Sequence, residues 1–232
     1  MVLSHYTLMK WKRVKMKLSD NTISVLKNYS TINQNLMIKM GSTLSTMSAM
    51  KNIVAKATVE ETFEKDIAIY DLNEFLACMS LFENLDLDFQ DDFVIMRGES
   101  NNSLKYWYSD PSVVTTVSKE IEMPPCEVKF SISSEQLSDI TKAAATIGAP
   151  DMVLENGDLR VTDKKNDTAN SYSMNVFEDN GVDYKFWFKV ENLKLMAGTY
   201  DVSVSSNKIS NFKNTNADME YFIALEPESY YA

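Results

Sequence analysis

The residues best suited to acid–base or metal chemistry are few and poorly arranged. His5 is the only histidine in 232 residues, so imidazole proton transfer, a catalytic triad and a histidine metal site all lack a second member. Cys78 and Cys126 stand alone, without CxxC or Cys/His spacing, which speaks against a zinc site or a disulfide framework and fits a reducing, intracellular setting. The densest carboxylates lie in ENLDLDFQDD, residues 83–92, and close acids of this kind could hold a hard cation. Asp86 and Asp88 alternate with Leu85, Leu87 and Phe89, however, which is the two-residue period of a half-buried strand with solvated acids. A carboxylate-based hydrolase built on this stretch finds no supporting geometry. With six glycines in all there is no phosphate-cradling loop. The chain is expected to be non-enzymatic, without cofactor or metal.

What remains is charge. Lysine and arginine number 23 against 33 acids, a net charge of -10. Such a surface keeps a protein soluble and repels nucleic acid at long range, so an ordinary basic-patch DNA binder is disfavoured. Residues 1–15 break the pattern, because Lys10, Lys12, Arg13 and Lys15 occur there without an acid. They read as an N-terminal extension, either disordered or a start placed upstream of Met16; a basic arm that touches nucleic acid is the alternative. No apolar run approaches a membrane span and no leader pattern opens the chain, so a cytoplasmic protein is expected.

Periodicity supplies the elements that would position the lysines. Ser19 or Asp20 can cap a helix whose Val25, Leu26, Tyr29 and Ile32 share one face, with Lys27 opposite. Strand-like segments follow, and then a second helix over residues 72–82, in which Leu72, Phe75, Leu76 and Met79 face one way and Glu74 the other. Residues 109–127, bounded by prolines and without an amphipathic period, read as a connector between a first domain, 16–108, and a second, 128–232. In the second, Ser133 or Ser134 caps a helix with Leu137, Ile140, Ala144 and Ile147 inward and Lys142 outward. Asn156-Gly157 supplies the turn of a hairpin. A short helix-like stretch after the strand YKFWFKV carries Val190, Leu193 and Met196 on one face and Lys194 beside it.

The halves overlay. Leu18 falls on Ile132 and Leu26 on Ile140, 114 positions apart; Leu72 falls on Val190 and Phe75 on Leu193, 118 apart. The expected fold is α+β, with two similar domains of two β-α-β-β-β modules each. Helix-face lysines are common in any protein, so Lys27, Lys142 and Lys194 carry no function by themselves.

The order of elements, together with MKLSDNTISVLKNYSTIN (16–33), DIAIYDLNEFL (66–76), DPSVV (110–114) and YFIALEP (221–227), resembles the DNA polymerase sliding clamps of T-even-type bacteriophages. The resemblance covers nearly the whole chain from Met16 to Pro227. It implies a homotrimeric ring with helices inside and sheets outside, encircling duplex DNA without regard to sequence and tethering the viral DNA polymerase. A clamp loader ATPase complex would open the ring. A role in late viral transcription, with a sigma-like factor and RNA polymerase as further partners, also follows from it. So does a place in the cytoplasm of an infected bacterial host. Lys27, Lys142 and Lys194 would then face DNA. Met40, Val117, Ile121, Met123, Leu225 and Pro227 would form a groove for partner peptides. The competing reading is an acidic, oligomeric virion structural or assembly protein.

Overall fold

The computed structural model describes residues 15–100, 102–179 and 181–232. His5, Lys10, Lys12 and Arg13 lie outside them. The N-terminal half contains β1 (Lys15–Met16), α1 (Asp20–Ile32), β2 (Leu36–Ile38), β3 (Gly41–Met47), β4 (Ile53–Phe63), β5 (Ile67–Ile69), α2 (Leu72–Met79), β6 (Asp86–Phe89), β7 (Phe93–Arg97) and β8 (Ser103–Trp107). The C-terminal half contains β9 (Val128–Ile132), α3 (Ser134–Ile147), β10 (Asp151–Glu155), β11 (Asp158–Thr162) and β12 (Tyr172–Asn175). It continues with β13 (Tyr184–Lys189), β14 (Tyr200–Ser205), β15 (Ile209–Asn214), β16 (Met219–Ala224) and β17 (Tyr230–Tyr231). Lys15, counted with the extension in the sequence, pairs with Asp88 across β1 and β6. Among the described residues no helix is long and apolar enough to cross a membrane.

The helices begin where side chains can satisfy their first amides. Ser19 accepts from Thr22 N at 3.2 Å at the head of α1. Ser133 and Gln136 form a reciprocal capping box on α3, with bonds of 3.1 and 2.9 Å. The two caps are 114 residues apart, the repeat seen in the sequence. Gly148, at φ 66°, ends α3 in the left-handed conformation that glycine tolerates without strain. Asp71 caps α2, accepting from Glu74 N at 3.0 Å. The apolar stripes are buried as their spacing predicts: Val25, Leu26 and Tyr29 in α1, Leu72 and Phe75 in α2, Ile140 and Ala144 in α3.

Two differences from the sequence reading are instructive. The second helix stops at Met79, three residues early, with Ser80 as its C-cap. The fourth helical position is a single 3-10 turn, Val190–Asn192, so the last module lacks the α-helix expected of it. Its cap position, 118 residues after Asp71, is Lys189, which makes no capping bond. Beyond the turn the chain is held irregularly: Met196 N donates to the Tyr221 hydroxyl at 3.2 Å. A Cβ on Gly198 would stand 2.4 Å from Asn214 Nδ2, so a larger residue there would have to displace the Asn214 amide.

All strand pairings are antiparallel. One sheet has the order β1-β6-β7-β8, a second β12-β11-β10-β13-β17, and β2 pairs with β5. The third, β3-β4-β16-β15-β14-β9, takes strands from both halves. Its seam is five residue pairs long, from Met219 opposite Ala57 to Ile223 opposite Ile53. Nearly the whole chain therefore shares one apolar core.

The acidic stretch is the strand β6, as its alternation indicates, but its acids are not all solvated. Asp88 is 2% exposed, accepting from Arg97 Nη1 at 2.9 Å and from Gln90 Nε2 at 2.6 Å. Among the described residues no three potential ligands of the His, Cys, Asp and Glu types are gathered to hold a metal.

Candidate nucleic-acid face and partner groove

Lys27 and Lys142 are exposed at corresponding places, mid-way along α1 and α3 and opposite their buried stripes. The same outward faces hold Asp20, Glu74, Glu135 and Asp139. Asp20, Glu74 and Glu135 sit in the first turns of their helices, where an acid complements the helix dipole. The cations are thus sparse, and separated from most of the acids along the helix axes. The head of α1 gathers further negative charge. Burial tends to raise the Glu61 carboxyl, yet bonds donated by the Thr22 hydroxyl and the Ser19 amide outweigh it and hold its pKa below the ordinary value.

Lys194 lies elsewhere. It follows the 3-10 turn and donates its ammonium to the Thr31 carbonyl at the end of α1. Its own carbonyl accepts from Asn28 Nδ2 at 2.9 Å, and Asn28 Oδ1 accepts from the Tyr221 hydroxyl at 2.9 Å. The last turn of α1 has no basic residue of its own, so Lys194 supplies the cation that its carbonyl end favours. Lys194 thus meets the end of the helix that carries Lys27, while Lys142 lies on α3.

The connector opens with a 3-10 turn, Pro111–Val113, capped by Asp110, which accepts from Ser112 N at 2.8 Å. Val114 packs with Met37 and Ala68 beside the β2–β5 pair, and Thr115 N donates to Asn35 Oδ1 at 2.8 Å. Further along, Val117 and Ile121 lean over the seam of the six-stranded sheet. They line a groove of about 210 Å³ with Val54, Lys56, Glu220 and Phe222. A second hollow of about 480 Å³ continues on the other side of Ile121, walled by Pro124, Ile209 and Ala224. Lys56 fastens the connector by a 3.1 Å ion pair with Glu120.

Of the other residues assigned to the groove from sequence, Met123 is half-buried in the connector outside both hollows. Met40 is 70% exposed, its amide donating to Asp66 Oδ1 at 2.9 Å, away from the lining. Leu225 is buried in the core and Pro227 is exposed beyond β16. Sequence reasoning passed over Val54 and Phe222, which form the floor shared by both hollows. They are cross-strand partners, 168 residues apart, and no local signal announces that pairing.

Two family patterns cover most of the chain. DNA polymerase processivity factor matches residues 17–93, and the C-terminal part of the gp45 sliding clamp matches residues 129–227. The sliding clamp of Vibrio phage KVP40 is 34% identical over 91% of this chain and 99% of its own length.

The chain belongs to the phage sliding-clamp family.

A sliding clamp of phage T4 is 28% identical, over 92% of this chain and 98% of its own. The fold extends further than the sequence likeness. Proliferating cell nuclear antigen from Thermococcus kodakaraensis superimposes with a TM-score of 0.67 at 16% identity, over 92% of this chain and 99% of that one. The DNA polymerase III beta subunit of Pseudomonas aeruginosa gives 0.64 at 10%, over 93% of this chain and 65% of that longer one. Clamps of this family are non-catalytic processivity factors of phage DNA polymerase, which accounts for a chain so poor in reactive side chains. Lys27, Lys142 and Lys194 all fall inside the matched segments. Val117, Ile121 and Met123 fall between them.

Proposed function

We propose that three copies of this clamp close head to tail into a ring around duplex DNA and hold the viral DNA polymerase to its template. The observation that supports closure most directly is a pair of open sheet edges. β8 ends the N-terminal sheet and β12 ends the five-stranded sheet of the other half, each with a neighbour on one side only. Unpaired edges invite strand addition, and a ring pairs these two in every subunit at once. The exposed ends of β8 and β12 carry aromatic contact surface. Trp107 is 60% exposed, packed edge-on against Phe93 at 5.1 Å, and Tyr172 is 39% exposed.

On this reading the division into clamp domains 16–108 and 128–232 follows the repeat, with helices turned inward. Lys27 and Lys142 meet phosphate. Lys194 adds a weaker contact, because its ammonium already serves the Thr31 carbonyl and has only its remaining donors to offer. So few cations among acids suit a ring that must slide. Topology holds the DNA, and each phosphate contact adds affinity that would oppose movement. The groove under Val117 and Ile121 takes partner peptides, from the polymerase and the clamp loader. In the cytoplasm of an infected bacterium the same groove serves the sigma-like factor and RNA polymerase of late transcription.

Light scattering and a primed-template assay with clamp loader test the ring. The expected result is a trimer that lengthens polymerase products. A monomer without effect on product length would refute it. Lys27→Glu with Lys142→Glu is expected to shorten products while leaving the trimer intact.

A further inference from the structure

α1 and α2 do not close on each other. Between them lies a hollow of about 420 Å³, within the size range of small-ligand sites. Asp20, Ile23 and Lys27 line it from one face of α1, and Leu76, Met79 and Ser80 from one face of α2, spaced as neighbours on a helix surface are. Leu18, Phe82 and Leu85 complete its apolar floor. Leu18, Ile23, Leu76 and Phe82 are left only half-buried. In the second half of the chain, the residues 114 positions after Leu18 and Ile23 are Ile132 and Leu137, 2% and 7% exposed. The repeat can therefore bury these positions, and the first half holds them open.

The polar groups of the hollow are of two kinds. Lys27 and Lys17 bring cations with little to neutralise them. The Lys27 ammonium has no partner among the described residues, and Lys17 reaches Asp86 only at 3.9 Å. The others are acceptors. The Asp20 carboxylate receives no bond among the described residues. Asn84 donates its amide nitrogen to Glu99 at 2.6 Å and keeps Oδ1 open. Ser80 gives its one hydroxyl hydrogen to the Ala77 carbonyl at 2.7 Å, so toward the hollow it can only accept. Asp20 and Lys27 stand two helical turns apart, about 10 Å along the axis. An apolar slot with a cation and, two turns away, an unfilled acceptor has the layout of a nucleotide: phosphate, flat base, and amino group at the base edge.

Resting on the DNA-facing placement of Lys27 proposed above, we propose that this hollow takes one unstacked nucleotide of single-stranded DNA and favours a base that carries an amino group. Phosphates meet Lys27 and Lys17, the base lies on Leu76 and Phe82, and its amino hydrogens go to Asp20, Ser80 Oγ or Asn84 Oδ1. Cytosine has such a group where thymine has a carbonyl oxygen, which the Asp20 carboxylate repels. Duplex DNA, with its bases stacked and paired, offers nothing to the slot. The chain would thus grip a strand where it is unpaired and stay free to slide where it is not.

The experiment uses the full chain and two fluorescein-labelled oligonucleotides of equal length, oligodeoxycytidylate and oligothymidylate, at low salt and mildly alkaline pH. Fluorescence anisotropy is expected to show the first binding about fivefold tighter, the scale of one net hydrogen bond. Asp20→Ala with Asn84→Gly removes two acceptors at exposed positions. The glycine also relaxes a backbone at φ 49°, so the fold is kept. With an acid gone, both oligonucleotides are expected to bind tighter and the preference to vanish. A charge effect alone would tighten both and preserve the ratio, and that result would overturn the proposal. Equal binding of the two oligonucleotides to the parent chain would overturn it while the DNA face stands. Lys27→Glu is expected to weaken both alike. Should neither oligonucleotide bind the parent chain, or Lys27→Glu leave both unchanged, the DNA-facing assignment of Lys27 falls together with this one.

Discussion

The second and fourth helical positions began as the same sequence problem and reached different answers. Asp71 caps α2 and two turns of helix follow; Lys189 cannot cap, and Val190–Asn192 is a single 3-10 turn. The reason lies across the sheet. Lys189 Nζ is bonded at 2.6 Å to Asp151 Oδ1, and Asp151 is 1% exposed. A capping side chain contributes about 1 kcal/mol, whereas breaking a buried ion pair costs up to about 3–5 kcal/mol, less here because Lys164 also faces Asp151, its Nζ at 3.8 Å and its amide at 3.2 Å. The ion pair wins, and the helix gives way. Repetition therefore conserved the place of the element without its conformation, and the freed segment took on another task, binding the end of α1 through Lys194.

Each part of this contrast can be broken. Lys189→Asp would supply the missing cap but set an acid beside Asp151, leaving Lys164 as its one remaining cation; a loss of about 2–4 kcal/mol in urea unfolding is expected, and a gain would show that the cap alone was lacking. Phe75→Ala, at 2% exposure, should cost about 3–5 kcal/mol, while Leu193→Ala at the corresponding half-buried position costs less than half as much by the same measurement. Asp71→Ala should cost about 1 kcal/mol and reduce helical circular dichroism.

Glu61 sharpens the comparison by pH. Its carboxyl is held below the ordinary value of 4.5, so its contribution at the head of α1 is complete above that value and is lost as pH falls through the lowered one. Glu61→Gln should flatten the acid limb of stability below about pH 4.5 and leave neutral pH behaviour nearly unchanged. Lys194→Gln should show the smallest effect, a few tenths of a kcal/mol from the lost helix-end cation, with a smaller loss of processivity than Lys27→Glu.

Local patterns made much of this molecule legible beforehand. The stripes of α1, α2 and α3, the serine caps 114 residues apart and the Asn156-Gly157 turn, with φ of 51° and 78°, are all written within a few neighbouring residues. Resemblance supplied the rest of the functional frame. What escaped were features made by residues distant in sequence. The burial of Asp88 depends on Arg97, the lost fourth helix on Asp151, and the groove floor on Val54 meeting Phe222 across the seam.

The seam also has a mechanical meaning. Five residue pairs of antiparallel ladder tie β4 to β16, and Asn28 bolts α1 to Tyr221 of β16 and to the Lys194 carbonyl. Bending the chain at its middle would have to shear that ladder and break those bonds together. The chain is therefore stiff at its middle, and in the proposed ring the compliance would reside in the joints between subunits. In the ring proposed above, opening would work against one β8–β12 contact and leave every connector unstretched.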